Sequence, residues 1–357
     1  MAKKNNTIIL AAGGTGGHIF PAQALCNILL KHKYKPLLIC DERTEKFLQK
    51  PLSDIEKYQI ISTKFSGSIV NKVTSFFLLI FSSMLILFKL VKSRPKAVIG
   101  FGGYPSFPTL LAATILRIPF FIHEQNAVLG RVNKIFARFA SKVFLTFPNT
   151  KFASKKNSIL TGNFVRQEIL TAKSTPRKPD KIYILIIGGS QGAQILSEVI
   201  PETICSLPQS LQKKLVIHQQ ARPNLIDSTK LFYKKCPAKV KVKDFFLNIG
   251  ELLKQADLVI CRAGASTIAE LTALGKPAIF IPYKHAKDNH QFYNAKHLVE
   301  NGAAISIEED KLNIKDLQID ILRLLNKPQV LSAMGKAAKN LGKINDTKIV
   351  LSEIKKI

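Results

Sequence analysis

The chain has 357 residues, enough for two domains with ample cores, and is 46% hydrophobic with 53 Lys and Arg against 24 Asp and Glu, a net charge of +29. The excess is mostly scattered lysine without an arginine-rich or aromatic-interleaved block, which argues against nucleic acid as a partner and leaves anionic lipid and acidic substrates. Five cysteines (Cys26, Cys40, Cys205, Cys236, Cys261) form no CxxC pair and are odd in number, which argues against a disulfide framework or zinc knuckle and for a reducing compartment.

Met1–Asn6 leads into a strand at Thr7–Ala12 with no signal-peptide pattern, so the chain is expected to remain in the cytoplasm. Gly13-Gly14-Thr15-Gly16-Gly17-His18 then opens a helix reaching about Lys31. Glycines there admit positive φ and close ligand approach, and a helix N-terminus favours anions, so the loop is a phosphate-site candidate with a plain glycine turn as the alternative. It lacks the GK[ST] ending of a Walker A loop, and only Asp41 could stand in a ribose position. His18, an imidazole at a loop–helix junction, is a candidate general base.

Leu37–Cys40 reads as a strand and Lys64–Gly67 as a loop. Val73–Leu90 is the most apolar segment; a spanning helix needs about 20 apolar residues, and this one is slightly short, broken by Ser82-Ser83 and flanked by Lys72, Lys89, Lys92, Arg94 and Lys96. It is expected to lie in a membrane interface, apolar side in lipid and basic ends on anionic head groups, with a buried domain helix as the alternative. Ala97–Ile99 is a strand before a second glycine loop, Gly100–Ser106, and Pro119–His123 a strand ending in His123-Glu124-Gln125-Asn126. Strands with glycine or polar tips at βαβ spacing predict an open parallel sheet whose strand ends converge on a ligand crevice.

After the Pro/Lys-rich stretch Thr171–Lys181 the pattern restarts with a strand to Ile187, a third glycine loop at Gly188–Ala193 and a helix at Gln194–Ser206. Leu215–His218 and Val240–Phe246 are further strands. Asp257–Cys261 runs into the small-residue turn Arg262–Thr267 and a helix (Ile268, Leu271, Leu274) stopped by Gly275-Lys276-Pro277. Such a turn aims backbone N–H groups and a helix dipole at one point, which suits a diphosphate. Glu270, within the first turn or so, is placed to accept from vicinal sugar hydroxyls; the bland alternative is an ordinary βαβ unit with a solvated glutamate. A strand at Ala278–Pro282 ends in Lys284–Gln291, and the chain closes with a helix to Glu300, a strand at Ala304–Ile307 and a helical, lysine-rich Leu317–Ile357.

The motifs GGTGGHIFP from Gly13, GFGGYPS from Gly100, HEQNAVLGRVNK from His123, GNFVR from Gly162, GGSQGA from Gly188 and the Ala265–Glu270 turn resemble, in order and across essentially the whole chain, the MurG family of peptidoglycan glycosyltransferases. The resemblance implies an α/β chain with two Rossmann-like doubly wound domains facing a cleft, the GT-B architecture: residues 1–163, joined by a terminal helix at 342–357, and residues 164–341. It implies inverting transfer of N-acetylglucosamine from UDP-N-acetylglucosamine to the C4 hydroxyl of the N-acetylmuramyl residue of lipid I, giving lipid II, at the cytoplasmic face of the cell membrane. It also implies contacts with other cell-wall synthesis proteins.

By the same resemblance, Ala265, Ser266, Thr267, Ile268 and Ala269 take the diphosphate, Glu270 the ribose, the Phe246 backbone the uracil, and Gln291 and Asn126 the sugar. Arg166 and Ser190 help neutralise the leaving group, Thr15, Gly16 and Gly17 join the substrate loop beside the base His18, and Gly102, Gly103 and Tyr104 lie on the acceptor side. The chain departs from the family pattern in Phe164 for a proline, Ala263 for a frequent serine, and Gln220 for a glycine after His218-Gln219; His218 is given no role. No DxD segment stands in a suitable loop, so no metal or other cofactor is expected to be essential. The competing readings are a non-catalytic nucleotide-sugar-binding membrane module and another GT-B UDP-sugar enzyme, a glycolipid synthase or epimerase.

Overall fold

The computed structural model describes residues 5–60, 69–174, 176–189, 192–342 and 346–357. The loop expected at Lys64–Gly67 and the site residue Ser190 lie outside them. The chain divides into two compact units, Met1–Arg166 with Ile344–Ile357, and Gln167–Lys343.

The first unit alternates strands and helices: β1 (Thr7–Ala11), α1 (Gly16–Lys31), β2 (Lys35–Asp41), β3 (Lys57–Ile60), α2 (Ile69–Ser93), β4 (Ala97–Gly100), α3 (Phe107–Ile115), β5 (Phe120–Glu124), α4 (Arg131–Phe136), β6 (Lys142–Leu145) and β7 (Ser158–Leu160). Its seven strands are parallel in the order β3-β2-β1-β4-β5-β6-β7. Apolar runs such as Ile8-Ile9-Leu10 suit strands covered on both faces. With period two, Ile8 and Leu10 join one core with Leu25, Leu29 and Phe121, while Ile9 joins the other with Ile39, Val98 and Ile122.

The second unit holds α5 (Gln167–Thr171), β8 (Ile182–Ile187), α6 (Gln194–Cys205), α7 (Gln209–Gln212), β9 (Leu215–Gln220), α8 (Ile226–Tyr233), β10 (Lys239–Lys243), α9 (Ile249–Gln255), β11 (Leu258–Cys261), α10 (Ala265–Leu274), β12 (Ala278–Phe280), α11 (His290–Glu300), β13 (Ala304–Ser306), α12 (Ile314–Leu325) and α13 (Pro328–Leu341). Six parallel strands run β10-β9-β8-β11-β12-β13. In each sheet the order reverses once, between β1 and β4 and between β8 and β11. The crevice beyond the strand C-termini at such a reversal is where doubly wound sheets place ligands. The last helix, α14 (Thr347–Lys355), buries Val350, Leu351 and Ile354 in the first unit's core.

Helix α2 has an inverted pattern. Ser75, Ser82 and Ser83 face inward with Ile86 and Leu90, while Phe77 (64% exposed), Phe81, Met84 and Phe88 (67% exposed) face outward. Its packing neighbour is α3. Val73–Ser93 is long and apolar enough to cross a membrane by length and composition, with 24% of the apolar window buried. The buried-helix alternative therefore does not describe its outer face. Of the flanking cations, Lys89 is engaged within the protein, paired with Glu56 at 2.9 Å beside the Tyr58 ring.

Candidate functional site

In the second unit the chain leaves β11 at Arg262-Ala263-Gly264, and Gly264, in extended conformation, caps α10. Ile268 N–H closes the first helical bond onto Gly264 O (2.9 Å). The N–H groups of Ala265, Ser266 and Thr267 thus precede the hydrogen-bonded ladder and define an anion-favouring point. The Ser266 hydroxyl is buried without a hydrogen-bond partner. A buried polar group with no partner costs free energy that a ligand acceptor recovers. Glu270 sits one turn deeper than the sequence suggests: it is the sixth residue of α10 and only 7% exposed. Ile268 and Ala269 are likewise buried.

Several side chains that the sequence reading passed over hold this turn. Arg262 reaches Glu309 through two bonds (2.9 and 3.1 Å) and also donates to Ile281 O and Pro282 O, while Lys284 N–H donates to Glu309 (3.1 Å). Burial pushes the Glu309 carboxyl up, but the Arg262 and Lys284 hydrogen bonds outweigh it and hold the group below the ordinary carboxylate range. The pair is nearly buried, 10% and 14% exposed, and ties the α10 turn to the segment after β13. Asn294 donates to Ala263 O (3.1 Å) from a fully buried position. Gln291, second in α11, accepts from Tyr283 N–H (3.0 Å) and so braces the loop end.

The departure at Gln220 has a structural use. Its oxygen accepts from Gly188 N–H (3.1 Å), and its amide donates to Gly189 O and Asp244 O (both 3.0 Å). One side chain thereby brackets the third glycine loop and the end of β10. Gly188 itself admits no side chain, since a Cβ there would lie 2.3 Å from Ala193 N. Phe246 is buried with its ring edge-on to His218 at 5.9 Å, and burial followed by Lys241 and Lys239 lowers the His218 pKa.

In the first unit the two glycine loops meet. A Cβ on Gly103 (φ 76°) would lie 3.2 Å from His18 Cε1, and one on Gly13 would lie 2.8 Å from Pro105 and 2.9 Å from Asp41. His18 Nδ1 stands 3.1 Å from Gly13 O and 3.3 Å from Thr15 Oγ1. A carbonyl only accepts, so a neutral ring carries its proton on Nδ1 and its lone pair on Nε2, the arrangement a general base needs. Asp41 does not serve as a ribose carboxylate: it is buried and accepts from Gly14 N–H (3.1 Å), Thr44 (2.7 Å) and Arg43. In the first loop a carboxylate thus already takes the Gly14 N–H.

Glu124 holds the Asn126 loop, accepting from Asn126 N–H (3.0 Å), Gly130 N–H (2.8 Å) and Asn133 (2.8 Å). Burial raises its pKa against the pull of those bonds. His123 is buried, its pKa lowered to about 4 by burial, with Nε2 donating to Gly162 O (3.3 Å) and Nδ1 accepting from Gln125 (2.9 Å). Phe164, where the family pattern has proline, stacks on His123 at 4.6 Å and fills the core. Beside it both side-chain polar atoms of buried Asn163 have no partner. Arg166 lies over the Phe20 ring at 4.4 Å, near the start of α1. Gly102 packs its backbone against Asn133, and Tyr104 begins the short turn leading to α3. Among the described residues, Thr15, Gly16, Gly17, His18 and Gly102–Tyr104 thus share one strand-end region, and Phe246, Ala265–Glu270 and Gln291 share the other. No group of three metal-ligating side chains occurs among the described residues.

Comparison with known proteins places these two regions in a class. Residues 8–145 match the glycosyltransferase family 28 N-terminal domain and residues 183–348 its C-terminal domain. A Wolbachia protein (Drosophila simulans, strain wRi) named UDP-N-acetylglucosamine--N-acetylmuramyl-(pentapeptide) pyrophosphoryl-undecaprenol N-acetylglucosamine transferase is 43% identical over 95% of this chain and 96% of its own. A Rickettsia bellii protein of the same name is 41% identical over 92% and 93%. The crystal structure of Acinetobacter baumannii MurG superposes with a TM-score of 0.80 at 31% identity, covering 98% of this chain and 99% of that one. The chain belongs to the MurG family of glycosyltransferases.

Proposed function

We propose that the protein transfers N-acetylglucosamine from UDP-N-acetylglucosamine to lipid I with inversion, forming lipid II. Family membership supports this reading, and the observation that carries it is the α10 N-terminus with its buried, unpartnered Ser266 hydroxyl at the β8/β11 reversal. An inverting transfer needs a base for the acceptor hydroxyl and stabilisation of the departing diphosphate. His18, with its lone pair on Nε2, is the base, and Gly102, Gly103 and Tyr104 border the acceptor. Ala265–Ala269 bind the diphosphate, with Arg166 and Ser190 assisting; Glu270 binds the ribose, the Phe246 backbone the uracil, and Gln291 and Asn126 the sugar. Thr15, Gly16 and Gly17 shape the loop beside the base. The chemistry so assigned uses no metal.

Lipid I carries a polyprenyl tail in the bilayer, so the first unit docks at the cytoplasmic face through the outer side of α2. Exposed Phe77, Phe81, Met84 and Phe88 enter the acyl boundary, and exposed Lys92 and Arg94 meet anionic head groups. Incubation with labelled UDP-N-acetylglucosamine and a short-chain lipid I analogue tests the reaction: labelled lipid II is expected, and release of free sugar alone rejects it. Adding anionic vesicles tests docking. Phe77→Ser with Phe88→Ser should release the protein from vesicles while the soluble analogue is still used; unchanged vesicle binding by the folded variant rejects docking through α2.

A further inference from the structure

The second unit has a cavity of about 670 Å³ at the opposite end of its sheet from the α10 turn. Its wall is made where strands begin: Lys181 and Ile182 at β8, Ala256 and Asp257 before β11, and Gly275, Lys276 and Pro277 before β12, closed by α13. Strands of three to six residues at about 3.3 Å each place it roughly 10–20 Å from the α10 turn. Gly335 on α13 crosses the Gly275 turn so closely that a Cβ there would lie 2.7 Å from Gly275 O, which fixes the helix against the cavity floor.

The lining is charged in one sense. Arg177, Lys181, Lys276, Lys336 and Lys339 face it, with Asp257 as the one lining carboxylate. Asp257 is taken up by Arg177, at 2.6 Å, and Lys181 stands 3.4 Å from Asp180, so Lys276, Lys336 and Lys339 are the excess. Lys276 is half-buried, and its ammonium donates to two neutral carbonyls, Lys254 O (2.6 Å) and Ala256 O (2.9 Å), with Asp257 as the nearby carboxylate that favours its charge. Lys339 donates to Ala273 O, and Lys336, among the described residues, has no carboxylate partner. Leu274, Pro277, Leu325 and Leu331 supply apolar wall between the charges. Clustered cations in a concave, partly apolar site raise the local potential where a multiply charged anion is held best.

We propose that this cavity is a second ligand site, distinct from the α10 turn, for a phosphate-bearing molecule with an apolar body. The volume lies within the range of ordinary small-molecule pockets, roughly 300–1,000 Å³. Phosphate esters and diphosphates carry the charge that several ammonium groups neutralise together. The phosphate belongs to a soluble ester or to a lipid head group, two sources sharing one chemistry.

The test is calorimetric titration of the full-length protein with inorganic pyrophosphate, alongside sedimentation with phosphatidylglycerol vesicles. Lys336→Glu changes an exposed, unpaired residue and leaves the fold intact, and Lys315→Glu on α12 reverses an equal charge in the same unit away from the cavity. Pyrophosphate affinity should fall at least tenfold in Lys336→Glu and stay within twofold in Lys315→Glu. If vesicle binding follows that pattern instead, the phosphate is a lipid head group. Equal losses in both variants mean diffuse attraction to a basic chain and overturn the site. Pyrophosphate binding that survives Lys336→Glu but disappears in Ser266→Asp belongs to the α10 turn and overturns it too.

Discussion

The two strand-end regions are built at the same place in the same kind of sheet, yet they are braced with opposite chemistry. In the first unit buried carboxylates hold the loops: Asp41 takes the Gly14 N–H, and Glu124 takes the Asn126 and Gly130 N–H groups. In the second unit neutral amides do it, Gln220 on Gly188–Gly189 and Asn294 on Ala263, while the carboxylate Glu309 is covered by Arg262. A carboxylate under a glycine loop consumes N–H donors, and Asp41 is itself paired with Arg43. Asn294, which donates to a carbonyl, leaves the N–H groups at the start of α10 and the helix dipole to an anion. One turn is thus suited to removing a proton, the other to holding a diphosphate.

The largest effect that could break this contrast is at His18. A general base contributes on the order of 10²–10⁴-fold, so His18→Ala should lower kcat by that range and leave UDP affinity within twofold. If donor affinity falls with the rate, the imidazole belongs to the donor side and the division of labour fails.

Next is the covered carboxylate. Removing one partner of a buried ion pair costs about 3–5 kcal/mol; with both groups slightly exposed, Arg262→Ala should cost about 3 kcal/mol in urea unfolding, with the loss of protection from hydrogen exchange centred on β11 and β12. The Glu309 pKa is depressed in the folded protein. Its contribution is therefore complete above the ordinary carboxylate value, about 4.3, and is lost as pH falls through the lower folded value. The gap between parent and Arg262→Ala should shrink below about pH 4. A gap constant down to pH 3 would mean that the arginine stabilises by packing alone.

That pair also marks what sequence could and could not supply. The strands, the three glycine loops and the restart after residue 181 are local signals, carried by apolar runs and turn residues. Arg262 and Glu309 are 47 positions apart and become partners only when β13 pairs with β12 and β12 with β11. Gln220 and Phe164 read as departures from a motif. In three dimensions one brackets two loops and the other stacks on a buried histidine. Asp41 was legible as an acid near a glycine loop, but its partner atoms were not. Nor could sequence alone tell which face of α2 is turned outward, since its serines, read as interruptions, form the inner side.

Glu270 probes the donor side with a smaller effect. A hydrogen bond to a charged group is worth about 1.5–3 kcal/mol, so Glu270→Ala should weaken UDP-N-acetylglucosamine binding by that amount in calorimetry. Glu270 is only 7% exposed. Unchanged affinity in a folded Glu270→Ala variant would assign it to holding the helix.

The smallest effect separates a brace from a ligand contact most sharply, because it is expected to change sign between two measurements. Ser266 Oγ is buried and unpartnered, so the folded protein carries the desolvation of a hydroxyl without a compensating bond. Ser266→Ala removes that group, and its methyl fits the same space. Without ligand the variant should be as stable as the parent or more so, by up to about 1 kcal/mol. When a diphosphate occupies the helix N-terminus the hydroxyl has an acceptor, and the variant lacks the donor. Affinity for UDP should then drop by roughly 0.5–1.5 kcal/mol, the net worth of a typical hydrogen bond. A structural hydroxyl gives the reverse: lower stability in the unliganded variant and unaltered UDP affinity. Thermal unfolding with and without saturating UDP reads both quantities on one sample, and the ligand-induced rise in Tm should be smaller in Ser266→Ala although its unliganded Tm is not.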